Sequence, residues 1–236
     1  MNRDLISTLI DYDGSPYRNI KAVRESRSLF DDLAEDEADI SAASLADALG
    51  KPYSPAPLLT RPFDYGIVIT YPFLEKNRQQ TRFSDDTLFG VWYGSEEIET
   101  TVYETVFHWR NFLLDAFPSE NRVIRGDRRI FKVQCRGIVI DLRGKEQTWP
   151  ALVDRYSYKF TQDLGHYLQD QNQNGLLVAS ARCRGINLAA FTPRILSGPM
   201  DICSLTYLTN LSQGPEVMVE KEPGKTWITI DGNMLV

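Results

Sequence analysis

Six polar residues stand out by type and spacing: Arg61, Arg82, Tyr93, Glu104, Ser180 and Asn187. Arg61 and Arg82 are 21 positions apart, Arg82 and Tyr93 are 11 apart, and Tyr93 and Glu104 are again 11 apart. Glu104 interrupts an apolar helical pattern, and Ser180 ends the apolar run Leu176 to Ala179. An arginine fork suits a small anionic ligand, and a carboxylate placed among apolar residues suits electrostatic work. Each residue alone also has an ordinary explanation. Surface arginines are usually solvated, a strand tyrosine usually packs, Glu104 with His108 four residues on matches a surface helix pair, and a lone serine ends a strand.

Other kinds of chemistry lack their residues. There is no GxGxxG, and Gly224-Lys225-Thr226 would need glycine at position 219, where Val219 stands, to form a P-loop. With His108 and His166 as the only histidines and no paired cysteines, a zinc site would have to be built almost wholly from carboxylates. No serine lies in a GxSxG nucleophile elbow. No metal is expected.

The order and spacing of the six residues resemble the RES domain, a family named for its Arg, Glu and Ser. In that family one arginine opens the domain and a second follows in a GGRW-like segment. A tyrosine then ends a strand, and a glutamate sits in the next helix. The segment VWYGSEEIETTVYE resembles the family's strand-to-helix passage, and ASARCRGINLAAFTPR, with Ser180 and Asn187, resembles its serine segment. QQTRFSDD replaces the glycine-rich stretch, Thr101 stands where alanine is usual, and Ala179 replaces a proline. The resemblance covers roughly residues 52 to 236.

It implies an ADP-ribosyltransferase-like mixed sheet with flanking helices and a toxin that depletes NAD. The implied partner is an Xre-type helix-turn-helix antitoxin. Glu104 would be the catalytic carboxylate, Arg61 and Arg82 would hold the pyrophosphate, Tyr93 would pack on nicotinamide or ribose, and Ser180 and Asn187 would position. The chemistry is consistent with a single carboxylate. Glycosidases need two, one of them to protonate the leaving oxygen, but the nicotinamide of NAD is already cationic and leaves as a neutral base. Two other readings share the fold: transfer of ADP-ribose to a macromolecule through the same site, and a non-enzymatic interaction module.

Behind these residues stand the elements that must position them. With 42% hydrophobic and 25% charged residues the chain has an ordinary globular composition, and its three cysteines suggest neither a disulfide framework nor a metal pair, so a reducing cytoplasm is the expected compartment. No apolar run is long enough to span a membrane, and the first ten residues do not read as a signal peptide. Net charge is −6, and residues 1–60 alone hold 6 Lys/Arg against 11 Asp/Glu. A chain without a basic stripe is a poor candidate for direct nucleic-acid binding.

The pattern from Pro16 to Leu49 suggests two short helices. The proline-rich stretch from Lys51 to Pro62 reads as a linker, so an acidic helical extension (1–51) is expected before the RES domain (52–236). Strands are expected at 65–71, 87–93, 129–142 (one strand, or a hairpin bent at Gly137), 176–180, 202–208, 217–219 and 227–230. Helices are expected from a Ser95 cap to Phe117 and over 151–169. The fold class is α+β.

Overall fold

The computed structural model describes residues 3–21, 65–85, 88–117 and 120–235. The described residues form one compact unit. Among the described residues nine strands make a single sheet, a short hairpin stands apart from it, and two long helices pack against it. The α+β class is therefore observed. No helix among them is long and apolar enough to cross a membrane.

The organising element is β6 (Ile124–Asp141), one unbroken 18-residue strand, with no hairpin at Gly137. Along one edge it pairs with β9 (Leu196–Thr209), and β10 (Glu216–Glu222) and β11 (Lys225–Asp231) extend the sheet beyond it. Along the other edge it takes β2 (Tyr17–Lys21) and then β1 (Leu9–Gly14). From β2 the sheet continues through β5 (Trp92–Ser95), β8 (Ile186–Ala190) and β7 (Gly175–Ala179). Ile140 and Asp141 of β6 pair in parallel with β7 and so close a ring of strands. Trp92, Phe131, Val133, Leu177 and Leu188 form one buried cluster drawn from this ring.

Several expectations are corrected. Residues 17–21, expected to enter a helix, are strand β2; Tyr17, Arg18 and Asn19 find ladder partners on β6, and tertiary pairing overrides the weak local pattern. The described part of the N-terminal segment thus belongs to the sheet. Residues 22–49, the linker and the boundary at 51/52 lie outside the described residues. The stretch 65–71, expected to be a strand, is a helical turn, α1 (Ile67–Thr70), followed by a 3-10 turn with Pro72 in its first turn. Val68 and Ile69 are buried there, so the apolar character that suggested a strand serves packing. Ser95 does not cap the next helix, α2 (Ile98–Ala116), whose N-cap is Glu97 with no side-chain cap bond.

Helix α2 buries Val102, Val106 and Leu113, and a second cluster joins Val102 and Val106 to Ile130, Leu205, Tyr207, Val217 and Val219 of the sheet. A one-turn stagger therefore leaves Thr101, Glu104, Thr105 and His108 on a neighbouring face. Helix α3 (Lys159–Asp170) begins later than expected, after a 3-10 turn at Pro150–Val153, and buries Leu164 and Leu168 beside Phe83 and Phe89.

The hairpin of β3 (Gln80–Thr81) and β4 (Ser84–Asp85) carries Arg82 and Phe83 at its tip. Phe83 is buried, and Gln162 of α3 donates to the Thr81 carbonyl at 3.0 Å. The helix can come this close because position 165 is glycine: a Cβ there would lie 1.9 Å from the Phe83 carbonyl oxygen. Gly165→Ala should gain about 1 kcal/mol of helix propensity and lose about 1–3 kcal/mol to overpacking. A lower denaturation midpoint is expected; an unchanged or higher one would show that the hairpin is not held by this contact.

Candidate active site

Strand pleating assembles the floor of a cavity of about 400 Å³. Tyr17, Ser95, Asn187 and Val178 are successive cross-strand partners on β2, β5, β8 and β7, so their side chains share one face, and all four line the cavity. Tyr93 lies two residues before Ser95 on that same face. Thr101, Glu104, Thr105 and His108 of α2 form one wall, and Arg82 and Phe83 of the hairpin form another.

At the centre is Glu104. Its Oε1 accepts from Ser180 Oγ at 2.6 Å and from Asn187 Nδ2 at 2.7 Å, while Oε2 has no donor among the described residues. Ser180 is itself fixed, since its Oγ accepts from the backbone N–H groups of Arg182 at 3.0 Å and Cys183 at 3.3 Å. With both lone pairs engaged, its proton points at the carboxylate. Asn187 Oδ1 accepts from Ser95 Oγ at 2.6 Å.

Arg82 donates through Nη1 to the carbonyl of Asp154 at 2.8 Å and lies over the Tyr158 ring, 4.5 Å from its centroid. That leaves Nε and Nη2 without an acceptor among the described residues. Tyr93 uses its hydroxyl to hold the hairpin, donating to Thr81 Oγ1 at 2.9 Å and accepting from Phe83 N–H at 3.1 Å. Burial raises its pKa, so it stays a neutral phenol. Of the six residues singled out from the sequence, Arg82, Tyr93, Glu104 and Asn187 line one cavity, and Ser180 reaches it through Glu104. Arg61 lies outside the described residues.

Sequence reasoning missed four residues. Arg18 on β2 lines the cavity, donates to the Tyr93 carbonyl at 3.0 Å and sits over the Trp92 ring. Its accessible surface makes it only part-buried, yet crowding around the guanidinium lowers its pKa to about 10, and no carboxylate offsets that cost among the described residues. The part exposure matters more for binding, because it leaves the cation reachable. Residues 17–21, YRNIK, do not alternate apolar and polar side chains, so no local pattern marked the strand or this arginine.

Arg182, 4% exposed, donates to the carbonyls of Leu235 and Arg155 and packs over Phe107, which anchors the turn after Ser180. Tyr158 and Ser95 also line the cavity, and no spacing in the sequence points to either. Among the described residues no group of three or more His, Cys, Asp or Glu side chains is arranged for a metal ion.

His108 is exposed at the rim, yet crowded by protein atoms. That crowding first, then Arg182, Arg82 and Arg128, holds its pKa below the usual histidine value, while Glu104 opposes them. The exposure governs access and the crowding governs charge, so the ring is neutral and reachable at neutral pH.

The RES domain family model matches residues 37–210. A chain of the M. tuberculosis MbcT-MbcA toxin-antitoxin complex resembles this one over 82% of this chain and 86% of its own, at 14% identity and a TM-score of 0.46. No curated protein sequence matches.

The electrostatic setting of His108 can be read directly by NMR. Its imidazole should titrate below the ordinary value of about 6.5, and Glu104→Gln, which removes an opposing charge, should move the midpoint lower still. A rise in that variant would contradict the arrangement.

Proposed function

The chain belongs to the RES-domain family, and from that premise we propose that its cavity binds NAD and that Glu104 promotes cleavage of the nicotinamide–ribose bond. The observation that supports this most is the state of the Glu104 carboxylate. One oxygen is committed to Ser180 and Asn187, and the other is without a protein donor among the described residues, in a cavity that also holds Arg82 and Arg18. A volume near 400 Å³ falls in the range of small-molecule sites.

Scission sends the C1′–N electron pair to the pyridinium nitrogen, so nicotinamide departs neutral and positive charge grows on C1′ and the ring oxygen of the ribose. No general acid is needed. The negative charge of Glu104, oriented before the substrate arrives, stabilises that developing charge and orients the ribose 2′-hydroxyl or the incoming nucleophile. With water or phosphate as the glycosyl acceptor, the nucleophile's oxygen bonds to C1′ and any proton it releases passes to solvent.

Arg82, with Nε and Nη2 uncommitted, and Arg18, without a carboxylate partner among the described residues, supply charge-assisted contacts for the pyrophosphate. Arg61 would join them. Tyr93 offers its ring to the nicotinamide or ribose, because its hydroxyl is engaged elsewhere. The family resemblance further implies control by an Xre-type helix-turn-helix antitoxin, and the cysteine usage fits action in the cytoplasm.

Glu104→Gln should lower NAD turnover by about 10²- to 10³-fold while leaving the circular dichroism spectrum and melting temperature close to wild type. Turnover that survives this change removes Glu104 from the mechanism. Chromatography of the products separates free ADP-ribose or its phosphate from label carried on macromolecules. In the Glu104→Gln background, adding Arg82→Ala should weaken NAD binding by about tenfold or more in calorimetric titration, the scale of a lost hydrogen bond to a charged group. Equal affinity would take the pyrophosphate away from Arg82.

A further inference from the structure

Ser95 does not touch Glu104, yet it lies in the cavity floor at 3% exposure and directly opposite Asn187 across the β5–β8 ladder. Its Oγ donates to Asn187 Oδ1 at 2.6 Å, and Asn187 Nδ2 donates to Glu104 Oε1 at 2.7 Å. The two ends of a carboxamide are nearly the same size, so packing alone does not choose its orientation. Charge does. A carboxylate only accepts, which turns the NH₂ end toward Glu104 and leaves Oδ1 facing Ser95. A hydroxyl can donate there, whereas an apolar side chain would leave a buried carbonyl oxygen without a partner.

We propose that Ser95 is a positioning residue for Glu104, acting through Asn187. Hydrogen bonds run in one direction, from the Ser95 hydroxyl to the Asn187 carbonyl oxygen and from the Asn187 amide N–H to Oε1. Ser180 holds the same oxygen from another direction, so the two donors together set the plane of the carboxylate and the aim of Oε2. No proton is transferred along the chain. The substrate touches Glu104, and Ser95 affects the reaction only by holding the amide that holds the carboxylate. The inference rests on the reading of Glu104 as the catalytic group.

A double-mutant cycle on the full chain, with kcat and KM for NAD, tests it. Ser95→Ala should lower kcat by about tenfold, the scale of one buried hydrogen bond, with KM changed less than about twofold. Ser95→Thr, which keeps the hydroxyl, should restore most of kcat. In an Asn187→Ala background, Ser95→Ala should have almost no further effect. Equal losses in both backgrounds, or a rise in KM with kcat intact, would overturn the proposal in favour of general destabilisation or direct substrate contact.

A second readout does not depend on turnover. The side-chain amide resonances of Asn187 should shift in Ser95→Ala, and unshifted resonances would overturn the relay. If the wild-type chain leaves NAD intact, the functional reading fails on its own, and the amide resonances alone then decide whether Ser95 holds Asn187.

Discussion

Two hydrogen bonds converging on a single carboxylate oxygen are the constraint on which the site depends. Glu104 Oε1 accepts from Ser180 on the segment after β7 and from Asn187 on β8, so a helix residue is referenced to two neighbouring strands at once. A carboxylate held only by its own helix would rotate among its side-chain conformers. Here the freedom is removed before any substrate arrives, which is what electrostatic preorganisation requires.

The fold supplies the means through strand pairing. Because β2, β5, β8 and β7 are in register at Tyr17, Ser95, Asn187 and Val178, one row of side chains spans four strands and becomes the cavity floor. The helix α2 is seated by Val102 and Val106 in the core, which sets its rotation so that Glu104 faces that row. Asn19 adds a tie between sheet and helix by donating to Thr105 Oγ1 and to the Tyr207 hydroxyl. The distance between carboxylate and floor is therefore set by packing as well as by the hydrogen bonds themselves.

The cationic side of the site follows a different logic. Arg82 rides on a hairpin whose hold on the protein comes from the buried ring of Phe83, the Tyr93 hydroxyl and the close approach of Gly165. Arg18 reaches the cavity from a strand, and Arg182 works behind the site as a buried anchor bonded to carbonyl oxygens. Three arginines thus perform three tasks, and only their partners distinguish them. Carbonyl partners satisfy a guanidinium without neutralising it, so the region keeps the positive charge that a pyrophosphate would meet.

Much of this arrangement was legible beforehand. The amphipathic spacing of α2 and the apolar runs of β6 and β7 could be read from the chain, because periodicity and residue type are local properties, whereas Glu104, Arg82, Tyr93, Ser180 and Asn187 were singled out by their resemblance to the RES family. What tertiary structure decided was non-local. It made a strand of residues 17–21 and so brought Arg18 to the cavity, and it turned the apolar stretch at 65–71 into a helical turn. It also took the Ser95 hydroxyl from a helix cap and gave it to Asn187. In each case interactions with distant parts of the chain outweighed the local preference, and no window of neighbouring residues contains them.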